Sequence, residues 1–275
     1  MPYKNDTDIN KRLHEHLLYY LDTYDKDWFV ICAQGSMNYG VMDEESDVDS
    51  KVLLIPQLED IIFNRKPISN TLEMPDNNEH VDCKDVREYF KIFRKSNINF
   101  VEILFTDYWI VNNKYQDLWL TLRKNAESLA RMNRFAAVSC MGGMAHEKFK
   151  GMTHEYPSRM HVIEKFGYDP KQLSHLVRIF YFVQMYINGI PYKDCIYPKE
   201  ESIRNFLLQL KRDGNGLDKQ SAIDFASATV DSIDKIVTKF RLDHDNHIDE
   251  EMDELLDSVL YNIMCRSLKE QLNKN

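Results

Sequence analysis

The chain has 275 residues, with 35 Lys and Arg against 44 Asp and Glu, so its formal net charge is −9. This length corresponds to roughly two domains, and a composition of 43% hydrophobic and 29% charged residues excludes a disordered or fibrous protein. An acidic chain offers no broad cationic surface, so we expect no binding of extended duplex DNA. Its apolar runs are too short for a membrane span and its start has no apolar h-region, so we expect a cytoplasmic protein without membrane contact.

The first part of the chain mixes helical and strand patterns. Apolar residues at three- and four-residue steps predict an amphipathic helix over 9–24. Short apolar runs rich in β-branched and aromatic residues predict strands, and a stretch rich in Pro and Asn predicts a loop. The predicted strands are 28–33, 48–56 and 79–83, the predicted loop is 66–78, and helical segments follow at 85–95 and 97–105.

From about residue 115 onward the pattern is almost wholly helical. The clearest helix start is Asp169-Pro170, an N-cap aspartate followed by proline at the first helical position, and Gly189 stands where that helix should stop. We therefore predict an α+β protein with a catalytic core over 1–112 and a helical domain over 113–275. The predicted helices of the second part lie near 115–128, 130–149, 170–188, 200–211, 218–241 and 249–272.

One polar segment carries most of the chemical information. Gly35 and Ser36 follow the first predicted strand and open a short helix, so backbone N–H groups and a hydroxyl are available there for phosphate oxygens. Asp47 and Asp49 are two residues apart on the second predicted strand, so their side chains leave the same face. Lys51 is next on that face, and we predict that it neutralises the aspartates rather than contacting substrate.

Converging carboxylates repel each other, and a hard divalent cation such as Mg²⁺ relieves the repulsion while phosphates complete its shell. If Asp82 on the next strand comes alongside Asp47 and Asp49, the three carboxylates could hold two ions roughly 3.5–4 Å apart. Glu79 is the nearest rival for the third position. This arrangement predicts nucleotidyl transfer.

The same residues carry a resemblance to a known family. Gly35-Ser36, ten intervening residues, Asp47-x-Asp49 and the later Asp82 resemble the DNA polymerase beta-like nucleotidyltransferase superfamily. The pattern is most similar to predicted nucleotidyltransferases of bacteria and their phages, and the resemblance covers about 28–110. The residues that match their G-S-x-x-Y-G…S-D-x-D stretch are Gly35, Ser36, Tyr39, Gly40, Ser46, Asp47 and Asp49.

The resemblance implies a small mixed β-sheet flanked by helices, Mg²⁺ dependence with two ions, and a nucleoside triphosphate (NTP) as donor. It implies that Gly35 and Ser36 contact the triphosphate and that Asp47 and Asp49 hold metal. Asp82 would be a further metal ligand and a candidate base.

A second segment, Lys165 to Arg178, is similar to a motif in the helical half of the same group. Lys171, His175 and Arg178 fall on one helix face, which suits an anionic ligand, although such faces are most often simply solvated. Across 131–178 there are eight Lys and Arg and four Asp and Glu, a local charge of 8 − 4 = +4. We predict nucleotide contacts for these three residues and for Tyr39, which lies beside the phosphate turn.

The sequence leaves the acceptor open: an RNA 3′ end, a protein side chain and a small hydroxylated metabolite are all compatible. Two other functions stay open as well. One is a D-x-D glycosyltransferase, which has no use for Gly35-Ser36. The other is a non-catalytic nucleotide-binding sensor or antitoxin-like module.

Overall fold

The computed structural model describes residues 6–24, 26–44 and 46–274, which divide into two compact units. The described residues of the first unit fall within Met1–Asn38, Asp43–Asn133 and Ile248–Asn275, and those of the second within Tyr39–Met42 and Arg134–His247. None of the helices in these described ranges combines the length and the hydrophobicity that a membrane span requires.

The first unit is built on a small β-sheet. Its strands are β1 (Trp28–Gln34), β2 (Asp49–Leu54), β3 (Ser69–Glu73), β4 (His80–Asp85) and β5 (Trp109–Val111). Its helices are α1 (Asp6–Thr23), α2 (Ser36–Tyr39, which ends in the second unit), α3 (Leu58–Ile62), α4 (Val86–Arg94), α5 (Ile98–Val101), α6 (Gln116–Lys124), α7 (Ala126–Arg131) and the C-terminal α14 (Glu250–Lys274).

The strand order in the sheet is β3-β4-β2-β1-β5. β2 and β4 run parallel and the other neighbours run antiparallel, so the sheet is mixed. Helix α1 packs on one face, where His16 reaches Ser50 of β2. Tyr89 of α4 and Phe100 of α5 make an edge-to-face contact above the opposite face, with Lys51 of β2 beneath Phe100.

The second unit consists of helices, which follow α7 in the chain. They are α8 (Arg134–Gly151), α9 (Met160–Phe166), α10 (Pro170–Ile187), α11 (Tyr192–Ile196), α12 (Glu201–Asp213) and α13 (Lys219–Asp243). The buried helix α10 packs against α8, α12 and α13. Asp169 caps it by accepting a hydrogen bond from the Lys171 N–H at 2.9 Å, and Gly189 follows its end with φ 76°, as predicted.

The predicted α+β fold with a small mixed sheet, flanking helices and a helical C-terminal part is confirmed. Two strands were missed. β3 lies inside the predicted loop 66–78, because this exposed edge strand has no apolar alternation, and β5 is only three residues long.

The compact units do not follow the predicted boundary between 112 and 113. Helix α14 belongs to the first unit because Arg94 of α4 pairs with Asp253 and Asp257, and Arg266 pairs with Asp117 of α6 at 2.6 Å. A boundary drawn from the change of pattern cannot anticipate a helix that returns to the first unit.

Candidate active site at one edge of the sheet

Gly35 and Ser36 form the turn between β1 and α2. Gly35 has φ 102°, a backbone conformation that favours glycine, and a Cβ added there would meet nothing within 4 Å. Asn38 holds the turn, because its side-chain amide donates to the Ala33 carbonyl at 3.1 Å and its Oδ1 accepts from Thr106 at 2.8 Å. Two side-chain hydrogen bonds therefore support the turn, and the space at the Cβ position of Gly35 is open.

Asp49 lies directly across from this turn. It is the cross-strand partner of Gln34, the residue before Gly35, and paired residues on antiparallel strands point to the same face. Asp49 Oδ1 accepts the His80 N–H at 3.0 Å and lies 3.3 Å from His80 Nδ1. One carboxylate oxygen is thus oriented by the parallel strand β4, while the half-buried side chain stays in contact with solvent.

Asp82 lies on the same face, one step along the sheet, where it is the register partner of Lys51. Its Oδ2 is 3.4 Å from Lys51 Nζ and its Oδ1 is 3.7 Å from Lys84 Nζ. Both ammonium groups also lie over the Phe100 ring, at 4.7 and 5.4 Å from its centroid. Lys51 therefore does make a structural ion pair, but its partner is Asp82 rather than Asp47 or Asp49.

Asp47 precedes β2 instead of lying on it, since the strand begins at Asp49, and it is exposed to solvent. Within the described ranges, no three His, Cys, Asp or Glu side chains are grouped so that they could hold a metal ion. The oxygen donors of Asp47 and Asp49 suit a hard cation whose shell is completed by phosphate oxygens and water. Metal binding by Asp47 and Asp49 stays a prediction, and Asp82, the third carboxylate of the predicted two-ion site, is paired with two lysines.

Glu79 is on the other face of the sheet, so Asp82 is the carboxylate that shares a face with Asp49. Glu79 Oε1 accepts the Val48 N–H at 3.2 Å, between the two aspartates, and its Oε2 lies 3.1 Å from His16 Nε2 and 2.7 Å from Arg12 Nε. Burial raises the pKa of Glu79, but the hydrogen bonds from His16, Arg12 and Val48 outweigh it and lower the pKa to about 2. Glu79 is therefore a positioning residue for the segment that carries Asp47 and Asp49.

Replacing Glu79 by Gln is expected to lower the free energy of unfolding at pH 7 by about 3 kcal/mol, because the cation Arg12 loses a buried partner. The folded-state pKa lies below the usual 4.5, so this stabilisation is complete above pH 4.5 and is lost as the pH falls toward 2. Urea unfolding at pH 7 and at pH 3 should show the wild type and Glu79→Gln converging in acid. Glu88→Gln, which removes an exposed pair with Lys91, serves as the control; an equal loss in both variants would contradict this role.

Two other residues of the predicted motif have packing roles. Ser46 closes a turn, since its hydroxyl donates to the buried Asp43 carboxylate at 2.7 Å and accepts the Asp43 N–H at 2.9 Å. Gly40 has φ 70°, and a Cβ there would lie 2.6 Å from Arg204 Cδ and 2.8 Å from the Tyr197 ring. The turn and the close approach explain these residue types without a ligand.

The remaining predicted site residues lie in the second unit. The guanidinium carbon of Arg178 is 3.7 Å from the centroid of the buried Tyr39 ring, which is a close cation–π contact. Lys171 is exposed, and His175 is half-buried one turn before Arg178 on α10. The structure thus joins Tyr39 to Arg178 within this unit, and nucleotide contact by these four residues stays a prediction.

No protein-family model matches the chain, and no curated protein matches it significantly in sequence. Among solved structures, a nucleotidyltransferase-like protein from Exiguobacterium sibiricum 255-15 is similar, with 8% identity over 83% of this chain and 74% of that chain and a TM-score of 0.29. A similarity of that size does not establish a shared fold, so the function is inferred from the residues of this chain.

Proposed function

We propose that the protein is an Mg²⁺-dependent nucleotidyltransferase that moves a nucleoside monophosphate from an NTP to a hydroxyl acceptor and releases pyrophosphate. The observation that carries this proposal is the pairing of Gln34 with Asp49, which sets the Gly35-Ser36 turn beside a half-exposed carboxylate. The open space at Gly35 leaves room for a phosphate group against the backbone.

We assign the following roles to the residues of this site. Gly35 and Ser36 bind the donor phosphates through backbone N–H groups and the serine hydroxyl, with no side chain in the way. Asp47 and Asp49 hold Mg²⁺, which when bound neutralises the charge that develops on the transferred phosphoryl group. Asp82 is the proposed third ligand and the base that receives the acceptor proton, and it lies 3.4 Å from Lys51 Nζ and 3.7 Å from Lys84 Nζ.

The first experiment supplies purified protein with Mg²⁺, each α-labelled NTP in turn, and a panel of acceptors: cellular RNA, total protein extract and hydroxylated metabolites. We expect label to appear in one acceptor class together with stoichiometric pyrophosphate. The label identifies the acceptor and the preferred base in the same measurement.

Two other results of this experiment would favour a different function. Because Asp82 is engaged by two lysines, a non-catalytic nucleotide-binding module is the second candidate. NTP binding without pyrophosphate release across the whole panel would favour it. Turnover of nucleotide-sugars without NTP turnover would instead favour a glycosyltransferase.

A further inference from the structure

Five basic side chains lie on three packed helices of the second unit. A Cβ at Gly151 of α8 would lie 3.4 Å from the Gln172 side chain, and the Ser174 hydroxyl donates to the Leu207 carbonyl of α12 at 2.7 Å, so both helices meet α10 close to His175. Lys171 and Arg178 are on α10 with His175, Lys148 comes from α8, and Lys211 comes from α12, the two helices that pack against α10. Burial, followed by the positive charges of Arg178, Lys171, Lys148 and Lys211, lowers the pKa of His175 well below its usual value. His175 is therefore neutral at pH 7.

Arg178 is held in this group with an unused donor. Its residue is only 6% exposed, and one face of its guanidinium is covered by Tyr39. Among the described residues, nothing accepts a hydrogen bond from its buried Nε. A buried, unsatisfied cationic donor is costly, and a bound anion is one way in which such a group becomes satisfied.

The two lysines from the neighbouring helices each have a contact that places them. Lys211 donates to the Val41 carbonyl at 3.1 Å. Lys148 Nζ lies 3.3 Å from Glu147 Oε1. The Glu147 side chain is 71% exposed, so this ion pair is in contact with solvent. The packing of α8, α10 and α12 thus keeps like charges together.

We propose that Lys148, Lys171, His175, Arg178 and Lys211 form a binding site for a polyphosphate chain that does not require a metal ion. Several negative oxygens in a row would match cations contributed by three helices, and the planar arginine fork suits phosphate oxygens. The neutral His175 ring can donate one hydrogen bond. This site lies within the second unit and is separate from the Gly35-Ser36 turn of the first unit, so the proposal goes beyond the proposed function and does not rest on it.

The test is calorimetric titration of the full chain with inorganic tripolyphosphate in buffer with EDTA and without divalent metal. We expect saturable binding that weakens at least about tenfold in Lys148→Ala and in Lys211→Ala. Lys150→Ala, which removes an exposed lysine two residues further along α8, should bind within about twofold of the wild type. Because Lys211 also bonds a backbone carbonyl, thermal unfolding is measured for each variant, and Lys148→Gln provides a second, milder test.

Two competition arms identify the ligand. ATP that displaces tripolyphosphate in the absence of metal would support a nucleotide triphosphate as ligand, while binding of tripolyphosphate alone would support inorganic polyphosphate. Citrate, a multivalent anion without phosphorus, should not compete. Equal binding of citrate, an equal loss in Lys148→Ala and Lys150→Ala, or no binding at all would overturn the site.

Failure of this site and failure of the proposed function are distinguishable. Tripolyphosphate binding with no nucleotidyl transfer would leave the site and remove the enzymatic function. Nucleotidyl transfer by a protein that binds no tripolyphosphate in the absence of metal would remove the site and leave the function.

Discussion

Asp49→Asn is expected to reduce nucleotidyl transfer by about 10³-fold, the scale of losing a group that stabilises charge in the transition state. The amide oxygen of Asn can still accept the His80 N–H that Asp49 accepts now, so the fold should be kept. The measurement is the initial rate of pyrophosphate release with the preferred NTP and acceptor, together with thermal unfolding.

Asp22→Asn is the matched control, because Asp22 is an exposed aspartate on α1. It should leave both the rate and the stability unchanged. Asp82→Asn belongs to the same experiment: a rate loss similar to that of Asp49→Asn is expected if Asp82 acts on the metal and the acceptor proton. Full activity of a folded Asp49→Asn variant would end the assignment of the active site to this edge of the sheet.

Gly214→Ala is expected to destabilise the second unit by about 3 kcal/mol. Gly214 caps α12 with φ 67°, and a Cβ there would lie 1.7 Å from Tyr168 Oη. The hydroxyl is not free to move away, because Tyr168 is fully buried and donates to the Leu217 carbonyl at 3.2 Å. Left-handed backbone in a non-glycine residue costs roughly 1–2 kcal/mol and overpacking a further 1–3 kcal/mol or so.

Comparison with Gly216→Ala separates the cost of the Tyr168 contact from the cost of left-handed backbone in a non-glycine residue. Gly216 has φ 73° but a Cβ there would meet nothing within 4 Å, so its substitution should cost about 1 kcal/mol. Chemical unfolding of both variants, with Tyr168→Phe/Gly214→Ala as a partial rescue, gives the comparison. Equal destabilisation of Gly214→Ala and Gly216→Ala would show that the Tyr168 contact carries no energy.

Much of the fold could be predicted because local patterns coincide with tertiary burial. The strand 28–33 is an unbroken apolar run, and all but its first residue are buried in β1. The Asp169-Pro170 start of α10 is a local backbone signal that needs no partner. β3 could not be found in this way, because it is held by ladder hydrogen bonds to β4 rather than by burying an apolar face.

In the candidate site, too, local sequence patterns were predictable and contacts between distant strands were not. The spacing of Gly35, Asp47 and Asp49 in the sequence is sufficient to indicate phosphate and metal chemistry. It could not reveal that Lys51 lies opposite Asp82, since that pairing depends on the register of two parallel strands separated by α3 and β3. Lys148 was only one of the eight Lys and Arg counted over 131–178, and Lys211 lies outside that segment, so the sequence did not single out either residue.

What the amino-acid sequence determined by itself is local: the helices and the longer strands, the turn at Gly35-Ser36, and the residue types that can bind phosphate and a hard cation. Tertiary structure alone decided three further points: that Asp82 rather than Glu79 shares a face with Asp49, that α14 packs with the sheet unit, and that α8 and α12, which carry Lys148 and Lys211, pack against α10. The physical reason is that side-chain direction follows from backbone periodicity, whereas strand register and helix packing join residues that are far apart in the chain.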